Sequence, residues 1–254
     1  MIPRPYILAE TTWQYVKDHA PEVVILPWGA TEAHNYHLPY ATDNFQCDYV
    51  AAEAARLAWE QGAKVMVLPT IPFGVNTGQL DILLDMNLNP STQLAILRDL
   101  VRVLVRQKIP KLFVLNGHGG NNFQQMLREL QAEFPEVFLC TANLFKIVDR
   151  SRFFSAPGDH ADELETSAML HIAPHLVLPL SEAGAGTSKQ FRVPALRTWA
   201  WAQREWSQVT DDTGVGNPAA ATAEKGEAFL QALTEELGQF LVDLAGADPA
   251  DLYE

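Results

Sequence analysis

The feature that most limits what this chain can fold into is an alternation. Four short apolar runs, Glu22–Pro27, Lys64–Pro69, Lys111–Leu115 and Val137–Thr141, are separated by longer stretches whose apolar residues recur every three or four positions. Short continuous apolar runs read as strands covered on both faces, and the periodic stretches read as amphipathic helices. Helices are predicted over Asn44–Gln61, with Gly62 as the stop, from Asn89-Pro90-Ser91 to about Lys108, and from Phe123 to about Phe134. A shorter one, Glu10 to His19, has Thr11 or Thr12 as its N-cap. Strand and helix alternate through the first 142 residues, which predicts an α/β fold with a mostly parallel sheet and helices on both faces.

After Asn143 the pattern changes. Ala161–Ile172 reads as a helix, Val177–Leu180 as an edge strand, and Ser181–Val209 as irregular and tryptophan-rich. A long final helix is expected from Asn217-Pro218, with Leu230, Leu233, Leu237, Leu241 and Leu244 on one face. Phe73–Asn89 reads as a long loop, and loops of that length are more often functional or oligomeric than idle. Trp199, Trp201 and Trp206 read as core or interface anchors, with a lid or substrate wall as the alternative. No linker, repeat or low-complexity tract divides the sequence, so a single domain over 1–254 is expected.

Bulk properties narrow the function. A formal charge of −13 argues against binding to a phosphate backbone, which needs clustered Lys and Arg, so no nucleic-acid partner is expected. No apolar run approaches the roughly 18 residues that a membrane span requires, and the first residues lack a secretory pattern. Cys47 and Cys140 lie far apart with no C-x-x-C spacing and read as reduced thiols. A cytoplasmic protein acting on a small molecule is the expectation.

The chemistry concentrates where strands end. The first apolar run stops at Pro27 and Gly29, and Glu32, His34, His37 and Asp43 follow within a few residues. Open α/β sheets place ligands at such strand ends. Glu32 and His34, two apart in an extended segment, point the same way, and Asp43 can return to them through the turn around Pro39. Mixed carboxylate and imidazole donors suit zinc, manganese or iron. Asn116-Gly-His-Gly-Gly-Asn121 puts His118 after the third strand, with glycines that permit close backbone approach. A phosphate cradle at the following helix is the competing reading, but neither G-x-G-x-x-G nor a P-loop Lys is present. The third cluster is Asp159-His160-Ala161-Asp162-Glu163-Leu164-Glu165. Asp162 and Glu163 fit a first helical turn favoured by the macrodipole, whereas Glu165 among Leu164, Ala168 and Met169 needs a partner.

These segments resemble the creatininase (creatinine amidohydrolase) family. Leu26 to Asp43 is similar to its L-P-x-G-x-x-E-x-H-x-x-H-L-P-x-x-T-D signature, Asn116–Asn121 to its N-G-H-G-G-N, His160–Ser167 to its H-A-x-x-x-E-T-S, and Gly214–Gly226 to its C-terminal motif. The resemblance implies a three-layer α/β/α fold, a homohexamer, and two divalent metal ions per subunit (Zn, Mn or Fe) at the carboxyl end of the sheet. It implies metal ligation by Glu32, His34, Asp43 and His118, with Asp43 as the bridge. It also implies Glu165 as the acid that completes or supports the second site, and proton transfer by His160. His37 fits the motif as scaffold. Metal-assisted cleavage of a cyclic amide, formamide or similar C–N bond is the expected activity, with Gly119, Gly120 and Asn121 as donors to the oxyanion. A catalytically inactive binding protein on the same fold is the alternative. Three departures argue against creatinine as substrate: Gly120 stands where creatinine-opening members carry Glu, Ser155–Asp159 lacks their Trp, and Asn76–Gln79 with Leu84–Asn87 replaces their F-P-G-T region.

Overall fold

The computed structural model describes residues 4–253. A short helix α1 (Trp13–Asp18), capped by the Thr12 hydroxyl, leads into β1 (Val23–Trp28). The chain continues through α2 (Thr42–Glu60), β2 (Val65–Val67), α3 (Pro90–Gln107), β3 (Lys111–Asn116), α4 (Phe123–Glu133) and β4 (Phe138–Asn143). The four strands pair in parallel in the order β2-β1-β3-β4. Then come β5 (Gly158–His160), α5 (Glu163–Ile172), α6 (Trp206–Val209), β6 (Val215–Gly216) and α7 (Ala223–Gly246).

Alternation along each strand sorts the side chains into two cores. Val23 and Ile25 join Val65, Val67, Phe113 and Leu115 on the face covered by α2, α5 and α7. Val24, Leu26 and Trp28 join Leu112 and Val114 on the face covered by α3 and α4. The result is a three-layer α/β/α arrangement around a parallel sheet. β2 and β3 flank β1 on opposite sides, so right-handed crossovers send α2 and α3 to opposite faces. Chain paths therefore diverge between β1 and β3, and the crevice at their carboxyl ends is where such a sheet binds ligands.

One part of the second half acts as a clamp on the site. Thr222 caps α7 by accepting from the Lys225 amide, and its own amide donates to Ser167 Oγ on α5. Lys225 Nζ reaches Glu163 Oε1 at 2.6 Å, and the other Glu163 oxygen accepts from the Ser155 and Ala156 amides. Asp162 caps α5 through the Leu164 and Glu165 amides and pairs with Arg150. The Gly214–Gly226 motif thus ends in a joint that holds α5, and with it Glu165, against the core.

Two expectations change, and one element is new. Val177–Leu180 forms no strand: Pro174 and Pro179 fix φ and remove donors, and short 3-10 turns at Pro174–Leu176 and Leu180–Glu182 flank the segment. The last helix starts at Ala223, not at Asn217-Pro218, where Asn217 instead caps a 3-10 turn over Pro218–Ala220. The antiparallel pair β5–β6 was not legible, because strands of two and three residues show no period. Of the three tryptophans, only Trp206 is buried; Trp199 and Trp201 are 84% and 83% exposed. No described helix is long and apolar enough to cross a membrane.

Gly226 lies inside α7, where alanine would ordinarily add about 1 kcal/mol of helix stability. Here an added Cβ would run into the Ser167 carbonyl of α5. Gly226→Ala is therefore expected to destabilise, by about 1–3 kcal/mol as overpacked cores do, read as a lowered denaturant midpoint.

Candidate metal centre

The site forms because two adjacent strands end at the same level. Trp28 at the end of β1 pairs in register with Asn116 at the end of β3, so the loops that follow face each other. The loop after β1 carries Glu32 and His34, and the loop after β3 carries His118. Asn35, with φ +54°, turns the first loop back on itself, and Asn tolerates this left-handed conformation. The chain then enters α2, whose first turn holds Asp43. From the other side, β5 delivers His160 and α5 delivers Glu165. Ala161 joins them at φ +48°, directing its amide at Glu165 Oε2, 2.5 Å away.

These six side chains meet in one cluster. Glu32, Asp43 and His118 form one group whose donor atoms converge, and His34, Asp43 and Glu165 form a second. Asp43 belongs to both, one oxygen to each: Oδ2 lies 3.1 Å from His118 Nδ1 and Oδ1 lies 3.2 Å from His34 Nε2. Glu32 Oε1 is 2.7 Å from His118 Nδ1, and Glu165 Oε2 is 3.8 Å from His34 Nε2. His160 Nδ1 lies 4.0 Å from Glu32 Oε1 and completes a third group with Glu32 and His34. Glu32, His34, Asp43, His118 and His160 are all buried.

Backbone carbonyls decide which ring nitrogens carry protons. A carbonyl only accepts, so the nitrogen facing it is N–H and the other carries the lone pair in the neutral ring. His118 Nε2 donates to the Val75 carbonyl at 3.0 Å, which turns the Nδ1 lone pair onto Glu32 and Asp43. His34 Nδ1 donates to the Glu32 carbonyl at 3.0 Å, turning Nε2 onto Asp43 and Glu165. His160 Nε2 donates to the Ala33 carbonyl at 2.8 Å and leaves Nδ1 toward the site. Each group is thus a convergence of lone pairs, and Asp43 Oδ2 is buried with no hydrogen-bond partner among the described residues. Such a donor set fits a divalent cation, with outer carbonyls orienting the imidazoles as in metal sites generally.

The titration behaviour has the same origin. Burial pulls His34 down, but Asp43, Glu165 and Glu32 outweigh it and lift the imidazole to about 10. His118 is likewise raised well above its usual range, by Glu32 and Asp43 against burial. Burial pushes the Glu32 carboxyl up, yet the facing imidazoles hold it well below the usual carboxylate range. Glu165 is pushed up by burial and by its acidic neighbours Asp43 and Asp162. Three carboxylates packed here call for positive charge.

The remaining expected residues lie around this cluster. His37 is not among the converging donors: its Nε2 meets Thr166 Oγ1 at 2.9 Å, and burial depresses it to about 4. Gly119 and Gly120 are exposed at the head of the loop after β3. Asn121 is committed elsewhere, its Nδ2 donating to Asn116 and its Oδ1 accepting from the Val75 amide and Gln93. At Gly120 a Cβ would collide with the Val75 carbonyl that orients His118, so no larger residue fits the loop as built. Trp206, read from sequence only as an anchor, packs edge-on to His160 with centroids 4.8 Å apart, and Arg204 lies over its ring. The carbonyls of Ala33 and Val75 carry no side-chain signature and were invisible in sequence.

At pH 7 the raised imidazoles of the metal-free protein hold protons that cation binding must displace. Adding zinc to metal-free protein in weak buffer near pH 7 is expected to release about three protons per chain, one each from His34 and His118 and most of one from Glu165, which burial lifts to about 8. The release should shrink in His34→Gln and be followed by a pH indicator or by titration calorimetry in buffers of different ionisation heat.

The chain is similar to known proteins over most of its length. The sequence pattern of the family described as creatinine amidohydrolase matches residues 9–241. A Bacteroides fragilis protein assigned as a creatinine amidohydrolase has a crystal structure that superposes with TM-score 0.92, at 44% identity over 99% of both chains. Two creatininase structures, one a variant described as Zn-Zn type and one described with manganese, each superpose with TM-score 0.78. Each is 21% identical over 95% of this chain and 99% of its own. A Mycobacterium ulcerans protein named mycofactocin precursor peptide peptidase is 27% identical over 84% of this chain and 82% of its own. A match spanning nearly the whole sequence, on a parallel sheet whose strand ends gather Glu32, His34, Asp43, His118 and Glu165, places this chain in the creatininase family.

Proposed function

We propose that this chain is a hydrolase that uses two divalent metal ions to cleave an amide C–N bond in a small substrate, of the cyclic amide or formamide class. The observation that carries this reading is the sharing of Asp43 between two groups of converging lone pairs, with His160 beside them. Glu32 and His118 would hold one ion, His34 and Glu165 the other, and Asp43 both. Zinc, manganese or iron bound there supplies Lewis acidity toward the amide oxygen and lowers the pKa of water.

The chain's own residues do the rest. His160 Nδ1 faces the cluster with a free lone pair, while the Ala33 carbonyl fixes the opposite nitrogen. That imidazole takes a proton from attacking water and passes it to the leaving nitrogen, as general acid–base catalysis requires. The His34 ring, 4.2 Å from His160 between centroids, and the Trp206 ring hold it in place. Burial and the nearby His34 charge lower the His160 pKa, which keeps the imidazole ready to accept. Amides of Gly119 and Gly120 lie at the exposed head of the loop, where they could steady the developing oxyanion. Asn121 supports that loop through its side-chain bonds rather than by donating to substrate.

Creatinine fits poorly, since the space a Glu at position 120 would need is filled by the Val75 carbonyl. A second reading, cleavage of a peptide bond in a short peptide, is favoured by the mycobacterial relative named as a peptidase. A panel of lactams, formamides and short peptides, assayed with zinc and with manganese, separates the two. Turnover of none by the fully loaded protein would favour a binding protein instead.

His118→Ala is expected to lose both metal, measured by elemental analysis, and hydrolysis. Full metal occupancy in that variant would contradict the ligand role. His160→Gln is expected to retain metal and lose about 10²–10⁴-fold in kcat, the usual contribution of a positioned acid–base group.

A further inference from the structure

The loop between β2 and α3 holds a buried amide that none of these roles uses. Gln79 is 2% exposed. Its Nε2 lies 2.5 Å from Glu32 Oε2 and 3.5 Å from Asn76 Oδ1, while its Oε1 has no hydrogen-bond partner among the described residues. An ionised carboxylate only accepts, so the amide nitrogen must face Glu32; turning the amide over would set oxygen against oxygen. The two oxygens of Glu32 therefore differ. Oε2 is tied to Gln79, and Oε1 faces His118 Nδ1.

We propose that Gln79 is a positioning residue for the metal centre: it engages Glu32 Oε2 and leaves Oε1 as the single oxygen presented to the ion shared with His118 and Asp43. This assignment rests on the metal-hydrolase reading above. The loop is built to hold the amide still. Asn76 receives the Gln79 amide on its carbonyl, donates from its own amide to Asn87 Oδ1 and from its side chain to the Met86 carbonyl. The carbonyl of Gly78 accepts from the Trp206 amide at 2.9 Å, so the segment that walls His160 also braces Gln79. Gln79 lies in the Asn76–Gln79 stretch where this chain departs from the family pattern.

The test compares wild type, Gln79→Met and Gln79→Asn. Met keeps the length without a donor, and Asn keeps the amide but withdraws it by one carbon. Metal-free proteins are titrated with manganese(II) against a competing chelator, and their metal-free thermal midpoints are recorded. Both variants should weaken one of two binding events about 10–100-fold, the usual effect of losing an outer-shell partner, and leave the other unchanged, while the metal-free midpoint falls modestly because Glu32 loses a buried donor. Wild-type affinity at both events in either variant would overturn the assignment, as would equal weakening of both events. A wild-type protein that binds no manganese would overturn the metal reading and this one with it. Two events in wild type, matched by the variants, would overturn this one alone.

Discussion

Three carboxylates within reach of one another, Glu32 and Asp43 buried and Glu165 half-buried, are the constraint on which the rest of this structure turns. Moving an ionised carboxylate out of water costs several kcal/mol, and Glu32, Asp43 and Glu165 are moved together. The chain answers with what it has: imidazoles of His34 and His118, the Ala161 amide on Glu165, and the amino end of α2, whose dipole favours the Asp43 charge. These partners leave Asp43 Oδ2 unsatisfied, and the lone pairs that converge around it define what the site still requires. Burial that would be a defect in a structural protein leaves here a donor set that fits a cation.

Sheet topology is what makes that burial possible. Because β1 and β3 are hydrogen-bonded neighbours whose helices leave on opposite faces, their carboxyl ends stay uncovered, and residues far apart in sequence share one crevice. α2 closes the crevice from below with its first turn, and α5 closes it from the side. The position of α5 depends on the clamp at the start of α7, where Thr222, Lys225 and Gly226 grip Ser167 and Glu163. A motif near the end of the sequence with no chemistry of its own thus governs where Glu165 stands.

Family likeness and individuality separate cleanly in space. The converging donors come from strand ends and helix starts, whereas the departures lie in loops that orient those donors from behind. Val75 supplies the carbonyl that sets the His118 tautomer and occupies the space a side chain at Gly120 would take. Trp206 walls His160 from a segment after the third motif, although no tryptophan precedes that histidine in Ser155–Asp159. What sets this chain apart from the family pattern is therefore a wall and a loop around a shared frame of converging donors.

The sequence by itself determined the layers of the fold and the identity of the converging residues. Apolar runs of strand length between amphipathic helices leave a parallel sheet covered on both faces as the economical solution, and Glu32, His34, Asp43, His118, His160 and Glu165 were each visible as polar groups at the ends of those elements. Local pattern also misled: Val177–Leu180 looks extended but is framed by prolines, and Pro218 opens a turn rather than the helix. Only tertiary structure decided that β1 and β3 are adjacent, since strand order depends on which helix crosses which face. It alone showed that His37 turns to Thr166 and that Gln79 turns to Glu32, because a side chain's partner across 47 residues of sequence follows from packing and leaves no period to read. The orienting carbonyls of Ala33 and Val75 were the least legible of all, as every residue carries one and only the fold gives two of them a histidine.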